Sequence, residues 1–179
     1  MLTSMRDLPA GSRVSFNLSA CDICSADTIL RIATIIRESG VDPRRLDFEI
    51  TETAIMTDFD QACDALRLLR QMGSRISLDD FGAGYSSLSH VHRLPIDTIK
   101  IDRSFIADIG NSLTGQNIIR SVAGLSRNLG VSCVVEGVET AAQVEILRGI
   151  GISEMQGFYF GRPVSAGDTC AAGETVDAA

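Results

Sequence analysis

From Val14 onward, short runs of alternating hydrophobicity take turns with longer stretches in which apolar residues recur every three or four positions. VSFNLS, LDFEITE, RISLDDF, DTIKIDRSF, VSCVVEGVE and EMQGFYFG read as strands, centred on residues 14–19, 46–51, 75–79, 98–102, 133–136 and 157–160. ADTILRIATIIRESG, FDQACDALRLLRQMG, NIIRSVAGLSRNLG and AAQVEILRGIG read as amphipathic helices. They close on Gly40, Gly73, Gly130 and Gly151, where a residue free to adopt positive φ ends a helix at little cost. Strand, helix, glycine and strand again predict right-handed βαβ units and a parallel sheet.

The alternation also says which faces are buried. In LDFEI, Leu46, Phe48 and Ile50 share one face, with Asp47 and Glu49 on the other. In TIKID, Ile99 and Ile101 oppose Thr98, Lys100 and Asp102; in VSFN, Val14 and Phe16 oppose Ser15 and Asn17. A sheet covered on both faces would read as nearly continuous apolar residues. One apolar and one polar face predict a (β/α) barrel of the TIM type with a polar mouth. The six strands are two short of the eight that such a barrel needs, so the expected barrel is incomplete. Residues 14–164 form this domain, 1–13 lead into it, and the Ala-, Gly- and Thr-rich segment 165–179 has no packing pattern and is expected to be disordered.

Composition narrows the possibilities. With 16 Lys and Arg against 23 Asp and Glu, the net charge of −7 leaves no basic footprint for DNA or RNA. No apolar run approaches the roughly 18 residues of a membrane helix, and the start MLTSMRDLPAGSR lacks the apolar core of a signal peptide. The five cysteines are irregularly spaced, and the Cys21–Cys24 CxxC has no second pair with which to build a zinc site. Reduced thiols then predict a cytoplasmic protein. His90 and His92 stand two apart beside Arg93, and nothing nearby completes a metal shell.

What stands out chemically is ISLDDFGAGYSSL, where Asp79 and Asp80 end an apolar strand and run into a loop of small residues. Adjacent carboxylates repel, and burying both is costly unless a cation or hydrogen bonds compensate. Further polar groups sit near the other strand ends: Asn17, Glu49, Lys100, Glu136 and Gln156. Taken singly each has a structural explanation: Asn17 can cap the next turn and Lys100 can pair with Asp102. Six successive strands delivering such groups to one rim predict a site where (β/α) barrels place their chemistry.

FNLS, EITE, DDFGAGYSSL, LPIDTIKID, VVEGVET and QGFYFGRP, in this order and spacing, resemble the EAL-domain phosphodiesterases that hydrolyse cyclic di-GMP. The resemblance runs from about Val14 to Pro163. It implies hydrolysis of cyclic di-GMP to linear pGpG at a two-metal site holding Mg²⁺ or Mn²⁺, with Asn17, Glu49, Asp79 and Asp80 as ligands. It implies Glu136 as the catalytic glutamate, Lys100 orienting water or stabilising phosphate charge, and Gln156 facing the substrate. Glu52, Gly82 and Gly84 would support the loop that positions Asp80, and Glu139 and Asp102 the rim. The Glu-Ala-Leu motif and its following arginine, expected upstream of FNLS, are absent. This chain is thus expected to lack a metal ligand and a phosphate anchor and to turn over slowly alone. A non-catalytic module that binds the nucleotide or a protein is the alternative. A homodimer is expected because exposed edges are liabilities, and a strand-swapped one in which each chain covers the other's open edge is one form it could take.

Overall fold

The computed structural model describes residues 5, 8–9, 11–82 and 88–164. The predicted alternation is present. In chain order the elements are β1 (Val14–Leu18), α1 (Ala20–Ile23), α2 (Ala26–Ser39), β2 (Leu46–Thr51), α3 (Glu52–Ile55), α4 (Phe59–Gln71) and β3 (Arg75–Phe81). They continue with α5 (Leu88–Val91), β4 (Thr98–Ile101), α6 (Leu113–Leu129), β5 (Ser132–Val135), α7 (Ala141–Ile150) and β6 (Glu154–Met155). The strands form one sheet in the order β1-β2-β3-β4-β5-β6, every neighbouring pair parallel. Spatial order follows chain order, as when successive βα units are laid side by side with one hand. The result is six strands of a barrel wall that is not closed, with β1 and β6 as its edges.

The helices start and stop where local chemistry dictates. Ser25, Asp58, Ser112 and Thr140 cap the N-termini of α2, α4, α6 and α7, each side chain accepting from a backbone N–H of the first turn. Gly40, Gly130 and Gly151 end α2, α6 and α7 in the left-handed conformation. The sheet face that meets them is apolar: Leu46, Ile50, Ile76, Leu78, Ile99, Ile101 and Val135 are fully buried. Each such aliphatic side chain stabilises the fold by about 1.5–3 kcal/mol relative to exposure. α4 covers this face with Ala62, Leu66 and Leu69, and α7 with Val144 and Leu147. The polar alternates of each strand are left on the concave face.

One expected strand is displaced. Residues 157–160 form a turn, with the Phe160 N–H donating to the Gly157 carbonyl at 3.1 Å, and β6 lies earlier, at Glu154–Met155. Gly157 passes so close to Val138 that a Cβ there would collide with Val138 backbone atoms. The Tyr159 N–H then donates to the Val138 carbonyl at 3.0 Å, turning the chain aside. The expectations for Gly84 and for segment 165–179 lie outside the described residues.

Candidate functional site

Register decides which polar side chains meet. Asn17 pairs with Glu49, Glu49 with Ser77, and Thr51 with Asp79, so these residues share the concave face of β1, β2 and β3. Lys100 on β4 pairs with Val134 on β5, which places Glu136, two residues on, on that same face. Lys100 sits at the focus. Its Nζ lies 2.6 Å from Glu136 Oε1, 3.0 Å from Glu49 Oε1 and 3.4 Å from Asp79 Oδ1. The lysine side chain is only 9% exposed, and the three carboxylates are 14%, 15% and 22% exposed.

These groups shift one another. Burial alone would lower the Lys100 pKa, but hydrogen bonds to Glu136 and Glu49 and the charges of Glu136 and Asp79 reverse this and lift it above the ordinary lysine range. Burial also pushes the Glu136 carboxyl up; Lys100 opposes the shift, and the negative charges of Asp79 and Glu49 add to it. A fixed ammonium and a proton-affine glutamate therefore stand side by side.

Asp79 and Asp80 occupy a β-bulge. Leu78 pairs with Ile99 and Phe81 with Ile101, so two aspartates oppose the single residue Lys100. Asp80 has φ of 53°, the one positive value of a non-glycine residue among those described. In a regular strand the two carboxylates would point to opposite faces. The bulge brings Asp80 within the influence of Asp79, Asp102 and Lys100. Burial pushes the Asp80 carboxyl up, the charges of Asp79 and Asp102 add to the shift, and Lys100 opposes it. Gly82 follows with φ of +94°, and a Cβ there would sit 3.0 Å from the Phe105 ring.

The remaining predicted residues are less gathered. Asn17 is aligned with Glu49 but exposed. Asp102 caps the turn Arg103–Phe105, its Oδ1 accepting from the Ser104 N–H at 3.0 Å, which holds its carboxyl below the ordinary range. Glu52 is half-buried at the start of α3. Gln156 is exposed just beyond β6. Glu139 is exposed, its N–H donating to Gln143 Oε1 at 2.8 Å. Sequence reasoning set Asp47 and Thr98 on polar faces but missed the bonds of the polar layer beneath the cluster. There Ser77 Oγ donates to Asp47 Oδ1 at 2.8 Å, and Arg75 Nη2 donates to Thr98 Oγ1 at 2.9 Å. Alternation extended back along β3 from Asp79 would have found Ser77 two positions earlier and Arg75 four positions earlier.

The donor set is all oxygen, which suits a hard divalent cation such as Mg²⁺, Mn²⁺ or Ca²⁺. Asp79 Oδ1 is buried and has no hydrogen-bond partner. Its ion pair with Lys100, at 3.4 Å, leaves this acceptor-only oxygen without a hydrogen bond, a deficit that a bound divalent cation would relieve. Among the described residues no three His, Cys, Asp or Glu side chains converge as a ready ligand cage. The Lys100 ammonium stands between the carboxylates and neutralises them in this arrangement. The donor chemistry thus fits a divalent cation.

A match to the EAL domain family covers residues 1–163 of this chain. The chain belongs to the EAL domain family. Among curated relatives, the bifunctional diguanylate cyclase/cyclic di-GMP phosphodiesterase MucR of Pseudomonas aeruginosa is 39% identical over 153 residues, covering 86% of this chain and 22% of MucR. The cyclic di-GMP phosphodiesterase PdeR of Escherichia coli is 34% identical over 161 residues, covering 90% of this chain and 24% of PdeR. This EAL chain thus spans about a fifth to a quarter of the length of these relatives. Among solved structures, the PaMucR phosphodiesterase in complex with c-di-GMP superposes with a TM-score of 0.86 at 36% identity, over 93% of this chain and 69% of that one. The BlrP1 manganese and cyclic di-GMP complex from Klebsiella pneumoniae gives a TM-score of 0.82 at 36% identity, over 90% of this chain and 42% of that one. BlrP1 was also solved with calcium and the same nucleotide. Among the described residues no helix is long and apolar enough to cross a membrane.

Proposed function

We propose that this EAL domain hydrolyses cyclic di-GMP to linear pGpG with two divalent cations, Mg²⁺ or Mn²⁺. The reading rests above all on the array of Glu49, Asp79 and Glu136 around Lys100 at the C-terminal ends of parallel strands, in which Asp79 Oδ1 accepts no hydrogen bond. Asn17, Glu49, Asp79 and Asp80 would hold the cations. When bound, these supply Lewis acidity toward the phosphate and a water made acidic enough to attack it. The protein's own groups do the rest. Glu136, whose carboxyl burial pushes up, is suited to accept the proton of the attacking water. Lys100 remains an ammonium and stabilises negative charge gathering on the phosphoryl oxygens. The new P–O bond to water forms as the P–O3′ bond breaks, and the departing O3′ takes a proton. Gln156, exposed at the rim, faces the nucleotide. The four described cysteines, all unpaired, agree with a cytoplasmic setting.

The test is production of pGpG from cyclic di-GMP, followed by chromatography, together with calorimetric titration of Mn²⁺. Wild-type chain is expected to bind Mn²⁺ and Asp79→Ala to lose that binding. Glu136→Gln is expected to lower turnover at least about 100-fold. Equal Mn²⁺ binding by wild type and Asp79→Ala would move the metal site elsewhere. Nucleotide binding without any cleavage, by a chain to which a segment with the Glu-Ala-Leu motif and its arginine has been joined, would leave a binding module as the better description.

A further inference from the structure

At the opposite end of the sheet from the carboxylate cluster, a cavity of about 360 Å³ opens around the starts of β3 and β5 and the residues that lead into β4. That volume lies at the small end of the roughly 300–1,000 Å³ of ligand pockets. Arg70, Arg75, His92 and Asp97 supply its polar wall, and Leu94 and Leu129 stand on its apolar side. Arg75 precedes Asp79 by four positions on β3, which is about 13 Å along a strand. The wall is rigid. The Asp97 N–H donates to the Ile76 carbonyl at 2.8 Å, the Asp97 carbonyl accepts from the Ser132 N–H at 2.9 Å, and Asp97 Oδ2 accepts from the Ile76 N–H at 3.0 Å. Asp97 Oδ1 in turn holds Arg70 Nη2 at 3.0 Å.

Two guanidinium groups line this cavity with donors unused. Arg75 Nη2 donates to Thr98 Oγ1 at 2.9 Å, its one hydrogen bond among the described residues, and Arg75 Nε is buried without a partner. Most of the fork's N–H groups are therefore free, and the group cannot shed its proton to escape the deficit. An acceptor in the cavity that turns the fork toward itself would relieve it. Arg70 commits one nitrogen to Asp97 and is otherwise open to solvent, its side chain 49% exposed. Both Asp97 oxygens are engaged, and Asp47, aligned with Arg75 on β2, accepts from Ser77 instead. Two guanidinium groups against one carboxylate leave the wall positive in a chain of net charge −7. His92, for which no metal shell exists, adds an exposed imidazole.

We propose that this cavity binds a phosphate group, either inorganic phosphate or the phosphomonoester of a small molecule, between the forks of Arg70 and Arg75. The number of oxygens favours phosphate over a carboxylate. A carboxylate presents one edge, which satisfies a single bidentate fork, whereas a tetrahedral phosphate presents several edges and can meet both. The apolar side, with Leu94 and Leu129, suits the organic part of a phosphomonoester. The site stands at the N-terminal ends of the strands, away from the face where (β/α) barrels place their chemistry. A ligand there does not compete with one held by the carboxylate cluster. The proposal does not depend on the phosphodiesterase reading.

Calorimetric titration of the 179-residue chain tests the site, with sodium phosphate and guanosine monophosphate as probes and EDTA present so that the carboxylate cluster holds no divalent cation. Wild type is expected to bind phosphate saturably and to show no such binding of chloride at matched ionic strength. Arg75→Lys, which keeps the charge and loses the fork, and Arg70→Gln are each expected to weaken the binding about tenfold or more. Arg75 also bonds Thr98, so circular dichroism checks the fold of its variant; Arg70→Gln changes a half-exposed side chain and carries the test alone if Arg75→Lys is unfolded. Tighter binding of guanosine monophosphate than of phosphate would assign the apolar side to an organic body. Binding no tighter would assign free phosphate as the ligand. Absence of saturable phosphate binding by wild type would overturn the site. Equal affinity in wild type and the folded variants would overturn it too, because a general salt effect does not distinguish them. Neither result involves turnover, so the phosphodiesterase reading would stand.

Discussion

At Lys100 one ammonium faces three carboxylates across 2.6–3.4 Å, almost out of contact with water. Removing it leaves Glu49, Asp79 and Glu136 as like charges with nothing buried between them. Breaking a buried ionic array in this way costs about 3–5 kcal/mol. Lys100→Met, which keeps the length of the side chain, is therefore expected to lower the urea midpoint by a corresponding amount at neutral pH. If the array is built for cations, Mn²⁺ should restore more stability to Lys100→Met than it adds to wild type, because binding only to the folded state stabilises it. A variant as stable as wild type would mean that the ammonium does not hold the carboxylates together.

The bulge in β3 does at the scale of an element what no single residue does. By setting two residues against Lys100, it turns Asp80 into the left-handed region and brings a second carboxylate to the rim. That conformation costs an L-residue about 1–2 kcal/mol, less for aspartate and nothing for glycine. Asp80→Gly is thus expected to melt at or above the wild-type temperature while losing affinity for Mn²⁺. Asp80→Val, β-branched and unable to enter this region cheaply, is expected to lose at least about 1 kcal/mol. If Asp80→Gly destabilised the chain as much as Asp80→Val, the contacts of the aspartate rather than its backbone conformation would be in control. A similar restriction lies in the next loop but one, where Gly137 has φ of +72° and a Cβ would press on Arg103. Glu136 is thus followed by a position that accepts only glycine without strain.

At the scale of the whole molecule, β1 and β6 are the edges of the sheet among the described residues. The β1 edge adjoins an apolar groove of about 350 Å³ between β1, β2 and α2, lined by Phe16, Ile32, Ile35, Ile36, Leu46 and Phe48. Ile35 and Leu30 on α2 are 51% and 55% exposed. Unpaired backbone beside apolar surface is a template for association. Sedimentation velocity is expected to show self-association that grows with protein concentration and that Ile35→Glu relieves without loss of helicity. A monomer at every concentration would remove the expectation of a homodimer.

Hydrophobic periodicity is a property of neighbours along the chain, so it already determined the number and order of the major helices and strands and their glycine stops. It also assigned Glu49 and Lys100 to the polar side of their strands and set Asp79 and Glu136 at strand ends, since a side chain's face follows from its position in the pleat. The motifs around those residues sufficed for the family. Partners across the sheet depended instead on register and on close approaches between distant residues, which no local pattern encodes. Only the tertiary structure placed Lys100 between three carboxylates, bulged β3 at Asp79 and Asp80, and set Ser77 on Asp47 beneath them. The aromatic run after Gln156 has the composition of a strand, yet it turns aside because Gly157 meets the backbone of Val138, nineteen positions earlier in the chain. Steric exclusion between segments that far apart becomes visible only once the sheet has brought them together.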